Sequence, residues 1–158
     1  MRKIDQLLSE YGESHQDPTN KIIHWICVPS IFLSIVGLVA SIPAKTLQNI
    51  FGQNSVITWA TVGLFFVLIY YLPLSIPLAI GMLAFEILCL VFVYFLDLWN
   101  VAPLWVVSLV IFVVAWVGQF YGHKIEGKKP SFLKDIQFLL IGPAWLMHFI
   151  YKRIGIPY

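Results

Sequence analysis

Apolar residues run almost unbroken through residues 22–42, 56–72, 74–96 and 101–122. Each stretch is close to the ~20 residues a helix needs to cross the hydrocarbon core of a bilayer. Lipid offers no partner to a backbone N–H or C=O, so these stretches predict helices and not strands. The joints are residues 43–55, a tight break around Pro73 and Pro77, and residues 97–100. Pro73, Pro77 and Pro103 fall near helix starts, where a missing N–H costs little. Such short joints make the second, third and fourth helices an up-down array. A fifth stretch, residues 136–151, is shorter and interrupted by Gly142-Pro143, and is expected to insert only halfway. Ahead of the first span, Ile4, Leu7, Leu8 and Tyr11 recur at helical spacing, which predicts a short amphipathic helix on the membrane surface. Asp17-Pro18 ends it, and Thr19 or Asn20 is expected to cap the first span. The pattern is that of an all-α polytopic bundle, one integral membrane domain over residues 1–158 with about four transmembrane helices.

Composition narrows the function classes. Of 158 residues, 59% are apolar and 11% charged, and the mean hydropathy is +0.84. Soluble domains carry about a quarter charged residues, and disordered chains need low hydrophobicity. A net charge of +2 gives no basic surface for nucleic acid. Any chemistry must therefore sit within the bundle or at its rim. Cys27 and Cys89 lie in apolar runs and read as small buried hydrophobes. The polar N-terminus lacks the apolar core of a cleaved signal, so the first hydrophobic helix is expected to stay as an anchor. The aromatic residues read mainly as core and interface anchors.

Loop charge sets the orientation. With four crossings, one side holds Arg2, Lys3, Lys21, Lys124, Lys128, Lys129, Lys134, Lys152 and Arg153, and the other Lys45 alone. Both termini are therefore expected in the cytoplasm. The membrane would be the endoplasmic reticulum in a eukaryote and the cytoplasmic membrane in a bacterium. A fifth crossing would move Lys152 and Arg153 outside and weaken the asymmetry, which favours a segment that does not cross.

That topology brings two polar clusters to one face. The first runs from Tyr11 to His24 and includes His15, Asp17 and Asn20; the second runs from Gln119 to Pro130 and includes His123 and Glu126. Asn20 and His24 share a helix face, as do Gln119, His123 and Glu126. Gly118 and Gly122 allow close helix approach on a neighbouring stripe. His15, His24 and His123 thus meet at one membrane rim. Imidazoles suit iron, zinc and copper, and an added carboxylate suits non-haem iron with open positions. Glu126, Gln119 or Asp17 could take the second N–H of a metal-bound histidine. A single histidine at an interface is ordinarily an amphipathic residue at the water line; three at one face are harder to dismiss. His148 is either a further ligand or a structural interfacial residue. Glu86, near the middle of the third span, is too deep for the rim and is expected to hydrogen-bond across the bundle, with cavity lining as second choice. The run Lys124, Lys128, Lys129 and Lys134 is chiefly the positive-inside signal, and could also hold an anionic headgroup.

Taken together, the clusters resemble those of the membrane 2-hydroxy-fatty-acid dioxygenase family, the yeast-type enzymes of fatty-acid α-oxidation. The first block reads Tyr11, His15, Pro18, Asn20 and His24, followed by Pro29; the second reads Trp116, Gln119, Gly122-His123, Glu126 and Pro130; Gly142-Pro143 resembles the family's tail. The stretch Ser131-Phe-Leu-Lys-Asp departs from the family pattern, and His148 has no match in it. The resemblance implies an iron(II)-dependent dioxygenase that cleaves the C1–C2 bond of a long-chain 2-hydroxy fatty acid with O₂, giving an acid one carbon shorter. It implies Fe2+ held by His15, His24 and His123. Glu126 would be a ligand or an orienter, Asn20 and Gln119 would support the ligands, and Lys21 or Lys124 would pair with the substrate carboxylate. A long acyl chain partitions into membrane lipid, so an enzyme at the rim can take it laterally. Competing readings are a small transporter or channel using Glu86, a structural membrane protein without catalysis, and a haem or zinc enzyme using the same ligands. A transporter predicts loss of function in Glu86→Gln and tolerance of His15→Ala.

Overall fold

The computed structural model describes residues 2–52, 57–127 and 132–158, with only the backbone described for 132–137. Lys128, Lys129, Pro130 and Ser131, and the side chain of Lys134, lie outside the described residues. Among those described there are seven helices and no strand: α1 (Lys3–Gly12), α2 (Pro18–Ala40), α3 (Lys45–Phe51), α4 (Trp59–Tyr71), α5 (Ile76–Trp99), α6 (Leu104–Glu126) and α7 (Phe132–Ile154). Three of them, α2, α5 and α6, are long and apolar enough to cross a membrane. The apolar α4 has 13 residues, about 20 Å of helix. Thr58 sets its start with a reciprocal cap to Thr61, and Pro73 follows its end.

Several boundaries differ from the pattern for identifiable reasons. The α2 helix begins at Pro18 and is capped by Asp17, not by Thr19 or Asn20. The Asp17 carboxylate accepts from the N–H groups of Thr19 (2.7 Å) and Asn20 (3.1 Å), and Pro18 supplies the fixed φ of a first helical residue. The α6 helix runs about one turn beyond Gly122 and stops at Gly127, whose φ of 72° is the left-handed conformation that favours glycine. His123 and Glu126 therefore stand on regular helix. The joint at residues 43–55 contains α3, which buries only Leu47 and so has no apolar face to announce it.

The two amphipathic segments solve each other's exposure. The apolar face of α1 (Ile4, Leu7, Leu8, Tyr11) is buried, packed with Ile141, Ala144 and Trp145 of α7. This corrects the expectation of an α1 laid on lipid, since protein already covers that face. Helix α7 is continuous through Pro143, where the sequence suggested a break. Pro143 leaves the helical acceptor four residues before it without a donor, and next to that acceptor the Tyr71 hydroxyl donates to the Leu140 carbonyl. Gly142 serves close packing: a Cβ there would come within 3.1 Å of both Tyr11 Oη and Val28 Cγ1. The Tyr151 hydroxyl donates to the Pro77 carbonyl at 2.7 Å. Helix α7 thus touches the end of α4 and the start of α5, and packs on the middle of α2 at Val28.

Helix α2 is the hub, packing on α4, α5, α6 and α7, most extensively on α6. Side chains such as Phe66, Ile80, Phe92, Val114 and Val117 point outward from α4, α5 and α6, as a lipid-facing surface requires. Cys27 and Cys89 are free and buried, as expected. Glu86 is buried too, but its Oε1 finds no hydrogen-bond partner among the described residues, so the expected bond across the bundle is not made by that atom.

The α2–α6 contact depends on glycine. A Cβ at Gly118 would stand 2.6 Å from Cys27 Sγ. Gly118→Ala is expected to cost about 1–3 kcal/mol by overpacking, read as a lower thermal midpoint. Adding Cys27→Ala should recover most of that loss; a double variant no better than the single would contradict this account of the contact.

Candidate metal centre

His15 lies in the turn between α1 and α2, His24 two turns into α2, and His123 in the last turn of α6. The folded chain brings them together. Their ring centroids are 4.2 Å (His15–His24), 4.9 Å (His24–His123) and 5.3 Å (His15–His123) apart. One ring nitrogen from each lies within 4.8 Å of the other two, close enough to hold one metal ion.

Hydrogen bonding fixes the state of two rings. His15 Nδ1 is 2.6 Å from the Tyr11 carbonyl and His24 Nδ1 is 2.9 Å from the Asn20 carbonyl. A carbonyl only accepts, so each Nδ1 donates a proton and each Nε2 keeps a lone pair. Both residues are buried, and both Nε2 atoms have no hydrogen-bond partner among the described residues. Buried polar atoms are ordinarily satisfied. Two unpartnered imidazole lone pairs converging with a third histidine make a donor set for a metal ion. The donor set therefore fits a bound transition metal. Burial pulls the His15 imidazole down to about 4, against the opposing help of the Tyr11 carbonyl and the Glu126 charge. It is thus neutral, the form that binds metal, across the physiological range.

A second layer holds the loop that carries His15. Glu126 accepts from the backbone N–H of Gln16 at 2.8 Å through one oxygen. Its other oxygen takes the N–H of Asp17 at 2.9 Å and Asn20 Nδ2 at 3.0 Å. Asn20 Nδ2 also reaches the Ser14 carbonyl at 3.2 Å. Glu126 therefore spans from the end of α6 to the α1–α2 turn and is not gathered among the ring nitrogens. Gly122 permits this approach, since a Cβ there would collide with Asn20 Oδ1 and come within 3.3 Å of His24 Cε1.

Aromatic rings close the other side. Tyr11 stacks on His15 at 4.2 Å and 9° between planes, and Trp145 packs on His15 at 5.3 Å. Phe138 sits edge-on to Tyr11. The contribution of Trp145 was not visible in the sequence: it belongs to an apolar run, and only the docking of α7 on α1 turns it toward His15. Gln119 is half-buried on the face of His123. Lys21 is half-buried and close enough for its charge to act on His15, whereas Lys124 is exposed at the end of α6. His148 is not brought to the cluster; its Nδ1 pairs with the Tyr158 hydroxyl.

A family profile described as "2-hydroxy-palmitic acid dioxygenase Mpo1-like" matches residues 1–154. The chain is similar to the 2-hydroxy-palmitic acid dioxygenase MPO1 of Saccharomyces cerevisiae (strain ATCC 204508 / S288c). The two are 28% identical over 153 residues, covering 95% of this chain and 81% of the yeast protein. No solved structure matches the chain.

Removing the Glu126 clamp should loosen the site without removing a ligand. Glu126→Ala is expected to weaken metal affinity by roughly 10–100-fold, measured by titrating cobalt(II) and following its visible absorption. Glu126→Gln, which keeps acceptor oxygen, should recover part of the loss. An affinity unchanged in Glu126→Ala would remove Glu126 from the site.

Proposed function

The chain belongs to the 2-hydroxy-palmitic acid dioxygenase Mpo1-like family, and on that premise we propose that it is an iron(II)-dependent dioxygenase. Its substrates are long-chain 2-hydroxy fatty acids and O₂, and its product is a fatty acid one carbon shorter. The observation that carries the assignment is the pair of buried, unpartnered Nε2 atoms of His15 and His24 facing His123.

His15, His24 and His123 would hold the iron, which when bound supplies the oxygen chemistry that protein side chains lack. The chain's own residues do the rest. The Tyr11 and Asn20 carbonyls, accepting from the two Nδ1–H groups, orient the rings and raise their basicity. Glu126 and Asn20 fix the His15 turn against α6. Tyr11 and Trp145 exclude water from the face of His15. Lys21, half-buried beside the cluster, supplies positive charge toward a carboxylate. Gln119 supports His123 from the preceding turn, and Lys124 adds positive charge at the rim.

Four crossings, by α2, α4, α5 and α6, place the histidines at one rim of the bundle, with both termini in the cytoplasm. Two partners of α7 support a helix that lies across that end: Tyr71 closes α4 and Pro77 opens α5. A site there meets the polar head of a lipid whose chain remains in the bilayer.

The test is the metal content of anaerobically purified protein together with O₂ uptake on 2-hydroxypalmitate. Iron near one per chain and substrate-dependent O₂ uptake are expected. His15→Ala and His24→Ala should lose both, while Glu86→Gln keeps both. A wild type that takes up no iron after anaerobic loading would overturn the proposal. Activity lost in Glu86→Gln and kept in His15→Ala would move the assignment to a transporter.

A further inference from the structure

Outside the histidine cluster, α2 and α7 leave an open groove of about 680 Å³ between them, within the range of small-molecule sites. Its walls are apolar: Trp25 from α2, with Phe149 and Ile154 from α7. Its rim is cationic: Lys21, Lys152 and Arg153. No acidic side chain lines it, and among the described residues none of the three cations has an ion-pair partner. Three unneutralised cations around an apolar trough complement a ligand with one anionic head and a hydrocarbon body. A guanidinium in particular matches a carboxylate through two parallel N–H donors.

The groove also adjoins the metal centre. Trp145 packs on His15 at 5.3 Å and on Phe149 at 4.6 Å, and Phe149 in turn faces Trp25 at 6.4 Å. One aromatic wall thus separates groove from histidines. Lys21 borders both, lying on the groove rim and acting electrostatically on His15.

We propose that this groove is a loading site for the carboxylate-headed acyl chain, with Lys152 and Arg153 holding the carboxylate beside Lys21 and the chain lying along Trp25, Phe149 and Ile154. The choice of an acid over a phospholipid takes its chemistry from the proposed function. The site holds the acid close to the metal centre before the head moves inward past Lys21, and it recognises the carboxylate without regard to the 2-hydroxyl.

The probe is 9,10-dibromostearate, whose bromines quench tryptophan fluorescence, titrated into the metal-free full-length protein in detergent. Saturable quenching is expected in the wild type. Trp25→Phe should remove much of the quenching amplitude. Lys152→Ala/Arg153→Ala should weaken the affinity by about tenfold or more, as loss of charge-assisted hydrogen bonds does. Lys152→Arg/Arg153→Lys, which keeps both charges, should restore it. The methyl ester should bind no better than it does to the double alanine variant. Equal affinity in wild type and double alanine variant, or tighter quenching by brominated phosphatidylglycerol than by the acid, would overturn the proposal. Because the assay needs neither iron nor turnover, the two readings fail separately: a wild type that takes up no iron yet shows saturable quenching would overturn the dioxygenase assignment and leave the groove standing.

Discussion

A buried imidazole nitrogen without a hydrogen-bond partner costs on the order of 1–3 kcal/mol, and this chain incurs that cost twice in one cluster. His15 and His24 each commit Nδ1 to a backbone carbonyl and leave Nε2 buried and unpartnered. Nothing in the packing of α1, α2 or α6 requires a histidine there; an apolar residue of similar size would avoid the cost. The arrangement makes sense if a ligand to those nitrogens returns the energy. The tautomer fixed at each ring leaves its lone pair available without any proton to displace.

The surrounding structure can be read as support for that geometry. The His15 turn has no regular backbone ladder of its own, so it is held from outside. Glu126 takes three N–H donors from it and from Asn20, while Tyr11 stacks on the His15 ring and Trp145 packs against both. Each support comes from a different helix: Glu126 from α6, Tyr11 from α1, Trp145 from α7. Glycine appears where these helices must approach, at Gly118 and Gly122 against α2 and at Gly142 against α1 and α2. The short α1 and the long α7 bury apolar residues against each other, which keeps the aromatic wall beside His15 in place.

Much of this was legible in the sequence because it depends on period and solvent. Unbroken apolar runs specify helices in lipid, and spacing placed Asn20 with His24 and Gln119 with His123 and Glu126. The meeting of His15, His24 and His123 followed from topology and loop charge. What escaped depends on tertiary contact or on competition between neighbours. Asp17 caps α2 in preference to Thr19 or Asn20 because Pro18 at the first helical position leaves Asp17 in the capping place. The amphipathic face of α1 could have met lipid or protein, and periodicity does not distinguish them. Gly142-Pro143 reads as a break in isolation, yet the helix continues because a close partner needs the glycine and Tyr71 donates beside the proline. Trp145 carries no local signal at all, since its neighbour His15 is on another helix pair.

The central claim is that three histidines bind one metal ion. X-ray absorption at the iron edge of the iron(II)-loaded protein measures it directly. The account predicts the scattering pattern of three imidazoles around one iron per chain, falling to two in His123→Ala. A spectrum without imidazole scattering, or one that His123→Ala leaves unchanged, would contradict it.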